Sequence, residues 1–142
     1  MGSLNPATLA LALAAGLDAL AAAAHLACIA LGAPAYRFMG AGERMARAAE
    51  AGRWYPTLVT LVIAAGLLAM ALCAGAAAAQ WTSLPWQRAL LLAFSAVLLI
   101  RALAFPWLKP IFPGNSARFW CVSSGICLVM AVSHGWGAWC LP

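Results

Sequence analysis

Four side chains able to carry charge or move a proton stand inside stretches that otherwise read as hydrocarbon. They are Asp18 and His25 in "ALAAGLDALAAAAHLACIALG", Arg101 in "AVLLIRALAFPWLKP" and His134 in "MAVSHGWGAWC". An ionisable group at the centre of a bilayer costs about 3 kcal/mol on insertion scales, so it turns towards a partner and marks a functional candidate. A carboxylate meeting an imidazole gives either a polar tie between helices or a proton-handling pair. A guanidinium, which stays protonated, needs an anion or a route to the interface.

Depth along a helix sorts these groups. At ~1.5 Å per residue from the basic end of each apolar run, His25 lies about 10 Å deep, Arg101 about 9 Å and Ser124 about 7 Å, with Thr57 and Thr60 at similar levels. Asp18 and His134 both fall about 21 to 23 Å deep. Asp18 and His134 are therefore expected to meet if their helices are antiparallel. Arg101 has no acid at its own level. Its possible partners are Glu43 or Glu50 folded up from a connection, a lipid phosphate reached by snorkelling, or an anionic ligand. In the last case Arg101, His25, Thr60, Glu43, Arg44 and Arg47 would form an anion or ligand site, with His25 and Arg101 the candidates for catalysis.

The elements that must position these groups follow from composition. The 142 residues are 66% apolar and 8% charged, with a mean hydropathy of +0.95, against roughly 25% charged residues in soluble domains. Runs of about 20 apolar residues can cross the ~30 Å hydrocarbon core. They fall at 7–32, 55–79, 88–107 and 119–141. The expected architecture is all-α: one domain over 1–142, an integral membrane four-helix bundle, because period-two alternation of a barrel is absent. "MGSLNPATLA" lacks the Lys or Arg of a secretory n-region, so the first run is read as mature structure. Pro6 replaces the Ser or Thr of a myristoylation pattern.

Arg37, Arg44, Arg47 and Arg53 crowd the first connection, Lys109 and Arg118 the third, and only Arg88 the second. The positive-inside rule then puts the first and third connections on the cytoplasmic side, with both termini outside; for a multi-pass protein of the bacterial inner membrane, as the resemblance given below implies, the termini are periplasmic. The net charge of +5 reads as topology and contact with anionic membrane lipids, not nucleic acid, since aromatic and basic residues do not interleave. Tryptophans form two expected belts: Trp54, Trp107 and Trp120 inside, Trp81, Trp86, Trp136 and Trp139 outside.

Local signals refine the connections. Pro34 breaks the first span, Gly40-Ala41-Gly42 turns, and "ERMARAAEA" predicts a short cytoplasmic interfacial helix between spans one and two, supported by Glu43 and Arg47 at i,i+4. Gly52 ends it, Pro56 fits the first turn of span two, and Ser116 is an N-cap for span four. "QWTSLP" is short enough to make spans two and three an antiparallel pair. Small residues on spans one and two favour close helix approach, with span one central and a homo-oligomer or larger membrane complex as the partner state.

Metal and cofactor chemistry finds little footing. Five cysteines make no ligand or redox motif; Cys73 and Cys140, near the outer ends, are the pair an oxidising compartment would join. His25 and His134 are ~12 Å apart along the membrane normal, too far to share one haem iron. No metal site and no resident cofactor is expected. "GAGE" follows no strand and reads as a turn.

"GAPAYRFMGAGERMARAAEAG", "YPTLVTLVIAA" and "FPGNSARFWCVSSGICLV" resemble a group of small four-span bacterial inner-membrane proteins without assigned activity. The chain also resembles, more weakly, the MAPEG superfamily, whose four-span trimers bind glutathione between subunits. In that family's Arg-Ala-x-x-Asn-x-x-Glu pattern, Arg47 and Ala48 match while Ala51 and Trp54 take the Asn and Glu places; Arg101, with Phe105 following, sits where the family has an arginine. Three functions are thus expected alternatives: a non-enzymatic bundle that binds lipid or a partner, or serves as an accessory subunit; a MAPEG-like transferase with Arg101 as anion clamp and glutathione as cosubstrate; and a proton-coupled transporter using Asp18 and His134.

Overall fold

The computed structural model describes residues 5–81 and 85–141, and there the chain is all-helical. Residues 1–4, which include Met1–Gly2, the 82–84 portion of the second connection and residue 142 lie outside the described residues. The elements are α1 (Pro6–Leu31), α2 (Ala33–Phe38), α3 (Glu43–Glu50), α4 (Tyr55–Ala78), α5 (Gln87–Leu103), α6 (Phe105–Leu108) and α7 (Ala117–Trp139). Three of them, α1, α4 and α7, are long and apolar enough to cross a membrane.

Helix ends follow local chemistry. The Asn5 side chain accepts the Ala7 amide and the Ser116 hydroxyl accepts the Phe119 amide, each satisfying one donor that a helix start leaves open. Gly32, not Pro34, interrupts the first helical run; Pro34 occupies the first turn of α2, where its missing N–H costs nothing. Gly52 at φ +66° closes α3.

The third apolar run departs from expectation. Instead of one helix over 88–107, α5 stops at Leu103 and a single turn, α6, resumes at Phe105. Pro106 has no amide to give the Ala102 carbonyl, and its ring disfavours a helical residue before it, so the ladder breaks there. At 17 residues, α5 is about 25 Å long, shorter than its neighbours.

Across the bundle the order is α4, α1, α7, α5. Helix α1 packs on both α4 and α7, and α5 packs mainly on α7. The pairing of the second and third runs anticipated from the short connection is marginal: α4 and α5 meet chiefly where the Gln87 Nε2 donates to the Cys73 carbonyl at 3.0 Å. Buried residues stack in three layers: Leu11, Ala14, Ala74, Ala77, Leu91 and Ala138; then Ala22, Leu67, Leu98, Met130 and Ala131; then Cys28, Ala33, Tyr36 and Ala46. Alanine dominates these layers, so backbones approach closely. A Cβ at Gly137 would strike the Leu11 side chain, and one at Gly40, whose φ is +72°, would strike the Phe119 ring.

Large apolar side chains face outward along every long helix, among them Leu20, Val62, Leu72, Ile100 and Val132. In water such a surface would aggregate. Trp120 departs from the anticipated belt: it is only 3% exposed and packs against Phe112 and Phe119, whereas Trp54 and Trp107 stand free at their helix ends. All five cysteines are free thiols, Cys73 and Cys140 included.

Candidate functional site

Helices α1 and α7 are antiparallel, and their small faces bring Asp18 and His134 together. The His134 Nε2 lies 2.9 Å from Asp18 Oδ2, with both side chains 0% exposed. Ala14 and Ala22 on α1, and Gly137 on α7, are the neighbours whose size permits this approach. Phe94 of α5 meets the imidazole edge-on at 5.1 Å between centroids. Asp18 Oδ1 and His134 Nδ1 have no hydrogen-bond partner and no accessible surface. The pair is therefore enclosed, with no water-sized space against either residue.

Nearer the other end, Arg101 turns inward to α7. Its Nη2 donates to the Ser123 hydroxyl at 2.9 Å, and its guanidinium carbon stands 5.3 Å from the centre of the Trp120 ring. A cation over an indole face is attracted by the ring quadrupole, a contact worth about 0.5–2 kcal/mol depending on desolvation. Neither Glu43 nor Glu50 reaches Arg101. Both are taken by Arg37, whose Nε and Nη2 donate to Glu43 at 2.9 Å each and whose Nη1 donates to Glu50 at 2.7 Å. Arg47 also donates to Glu43, at 3.1 Å, across the anticipated i,i+4 step. Glu43 consequently stays ionised down to about pH 2, first through the Arg37 hydrogen bonds and then the Arg47 one, and the contacts with Glu43 and Glu50 raise the Arg37 value.

The other anticipated ligand residues stand apart. His25 Nδ1 donates to the Ala21 carbonyl of its own helix at 2.7 Å, a bond that fixes the hydrogen on Nδ1 because a carbonyl only accepts. The Thr60 hydroxyl donates to the Pro56 carbonyl at 2.7 Å, so it accepts from the Tyr36 hydroxyl at 3.1 Å. Arg101, His25, Thr60 and a glutamate thus do not converge. Glu43, Arg44 and Arg47 do come together, with Ala48, Ala51, Arg53 and Tyr55, along an open groove of about 680 Å³ between α3 and the start of α4. Among the described residues no group of three His, Cys, Asp or Glu side chains is placed to hold a metal ion.

Arg37 and Arg53, legible as basic residues of the first connection, and Trp120, legible as an interface residue, are not singled out as site residues by the sequence, nor are Tyr36 and Ser123. One signal for Arg37 was present: Glu43 and Glu50 are seven apart, hence on one face of α3, where a single guanidinium can straddle both. Compared with models of protein families, with curated proteins and with solved structures, the chain matches none.

Proposed function

We propose that this chain is a non-enzymatic, multi-pass protein of the bacterial inner membrane: a small bundle that binds membrane lipid and serves as an accessory subunit in a homo-oligomer or larger complex. Helix α5, continued by α6, is the fourth span of this reading. The first and third connections are cytoplasmic and both termini periplasmic, on the strength of where the basic residues fall.

One observation carries the reading: apart from His25 and Ser133, which bond carbonyls of their own helices, the polar side chains that find partners within the apolar helices join one helix to another. Asp18 with His134 ties α1 to α7, Arg101 with Ser123 and Ser95 with the Ala131 carbonyl tie α5 to α7, Gln87 ties α5 to α4, and Tyr36 with Thr60 ties α2 to α4. Such contacts are the glue of membrane bundles. A transferase would need Arg101, His25 and a glutamate around one cavity, and a proton-coupled transporter would need a wet Asp18 and His134. Neither arrangement accords with the distances above.

Native mass spectrometry of the detergent-purified protein tests the proposal. Retained phospholipid or a stoichiometric protein partner is the expected result. A retained soluble thiol, with no lipid or protein adduct, would overturn it in favour of the transferase.

A further inference from the structure

Between α3 and α4 the basic groove has a charge balance that the sequence does not disclose. The α2–α4 region holds Arg37, Arg44, Arg47 and Arg53 against Glu43 and Glu50. Arg37 engages both carboxylates, and Arg47 shares Glu43. Arg44 and Arg53 have no carboxylate within 4.0 Å among the described residues. Two guanidinium charges are therefore left uncompensated, and both line the same groove.

Local structure holds that groove open. After Gly52 turns the chain, the Arg53 amide donates to the Ala48 carbonyl at 2.9 Å, so Arg53 doubles back beside α3. The Tyr55 hydroxyl donates to the Arg44 carbonyl at 3.4 Å, which ties the α4 start to the same helix. Ala48 and Ala51 add no bulk to the lining. The resulting concavity presents Arg44, Arg47 and Arg53, whose planar forks match the oxygens of a phosphate.

Position selects the source of that phosphate. The groove opens at the first turn of α4, a 24-residue apolar helix, and Trp54 beside it is 71% exposed, as befits an indole at a membrane interface. Leu58 and Val62, on successive turns of α4, are exposed and apolar, so an acyl chain has a track next to the head-group level. We propose that Arg44, Arg47 and Arg53 form a binding site for the phosphate of an anionic phospholipid, with Arg37 offsetting the charge of Glu43, which also lines the groove, and engaging Glu50. The assignment rests on the membrane reading above and names the ligand class and the residues.

The test uses the full chain in detergent, stripped of lipid and titrated with short-chain phosphatidylglycerol, short-chain phosphatidylcholine or inorganic phosphate, with adducts counted by native mass spectrometry. Phosphatidylglycerol is expected to bind in preference to phosphatidylcholine. The double substitution Arg44→Gln/Arg53→Gln is expected to weaken that binding by about 10-fold or more, since each basic residue near an anionic lipid surface contributes appreciably. Arg44→Lys/Arg53→Lys should restore much of it, and Arg88→Gln, which alters an arginine lying over Trp139, should leave it unchanged. Equal phosphatidylglycerol binding by wild type and by the Gln double variant would overturn the groove while leaving a lipid-binding bundle intact. Inorganic phosphate binding as tightly as the lipid would overturn the lipid source. A wild-type protein that takes up neither phospholipid would instead count against the wider proposal.

Discussion

His134 Nε2 and Asp18 Oδ2 meet at 2.9 Å across α1 and α7, sealed from solvent, while the second polar atom of each side chain has no partner. A pair enclosed in this way is costly to break from one side, because the remaining group stays buried and unpaired. Asp18→Ala and His134→Ala should each destabilise the fold, and the double substitution should cost less than their sum. A double-mutant cycle in detergent or bicelles is expected to give a coupling of about 1 kcal/mol, within the range of interhelical hydrogen bonds in membranes. Coupling indistinguishable from zero would show that the pair does not hold α1 to α7.

Gly137 sets how closely those helices approach. A Cβ there would run into Leu11, whose side chain is fully buried in the first core layer. Gly137→Val should therefore push α7 away from α1 and cost about 1–3 kcal/mol by overpacking. Gly125→Ala, on the same helix with open space around it, should be close to neutral. Thermal unfolding of both variants in one detergent checks the contrast.

How much of this was legible beforehand depended on regularity. Asp18 and His134 lie on long, uninterrupted helices, so a fixed rise per residue placed them at one level. The caps at Ser116 and Gly52 were equally readable, because they depend on neighbours within a few residues. Trp120 was not: α7 is apolar on every side, and where the surrounding solvent is itself hydrocarbon, hydrophobicity does not tell an inward face from an outward one. Glu43 and Glu50, one of the three alternatives open for Arg101, do not reach it, since a nearer guanidinium, Arg37, captures both. The break after α5 is explained by Pro106, whose missing amide outweighed the continuity of the apolar run.

Trp120 offers a test of what Arg101 needs. The indole supplies a face to the guanidinium, but its Nε1 is buried without an acceptor. Trp120→Phe keeps an aromatic face and removes the unsatisfied donor, so it should cost about 1 kcal/mol or less. Trp120→Ala loses both ring and packing and should cost about 3–5 kcal/mol. Unfolding midpoints of the two variants distinguish this from a role in which the indole N–H is itself required, where Phe and Ala would be equally damaging.

The exposed network around Arg37 should give the fold an acid limb. Glu43 ionises near pH 2 in the folded chain, against an ordinary value of 4.5. A carboxyl whose value is depressed by folding stabilises above its unfolded value, and the contribution disappears as pH falls through the folded one. The stability that Glu43 confers should thus be complete above about pH 4.5 and lost progressively towards pH 2. Arg37, shifted upward, stays charged throughout and adds nothing to this limb. Melting curves between pH 6 and pH 2 should show a slope that Glu43→Gln diminishes, and added salt should shrink it in the wild type because the contacts face solvent. A slope identical in wild type and Glu43→Gln would mean that Glu43 does not govern the acid response.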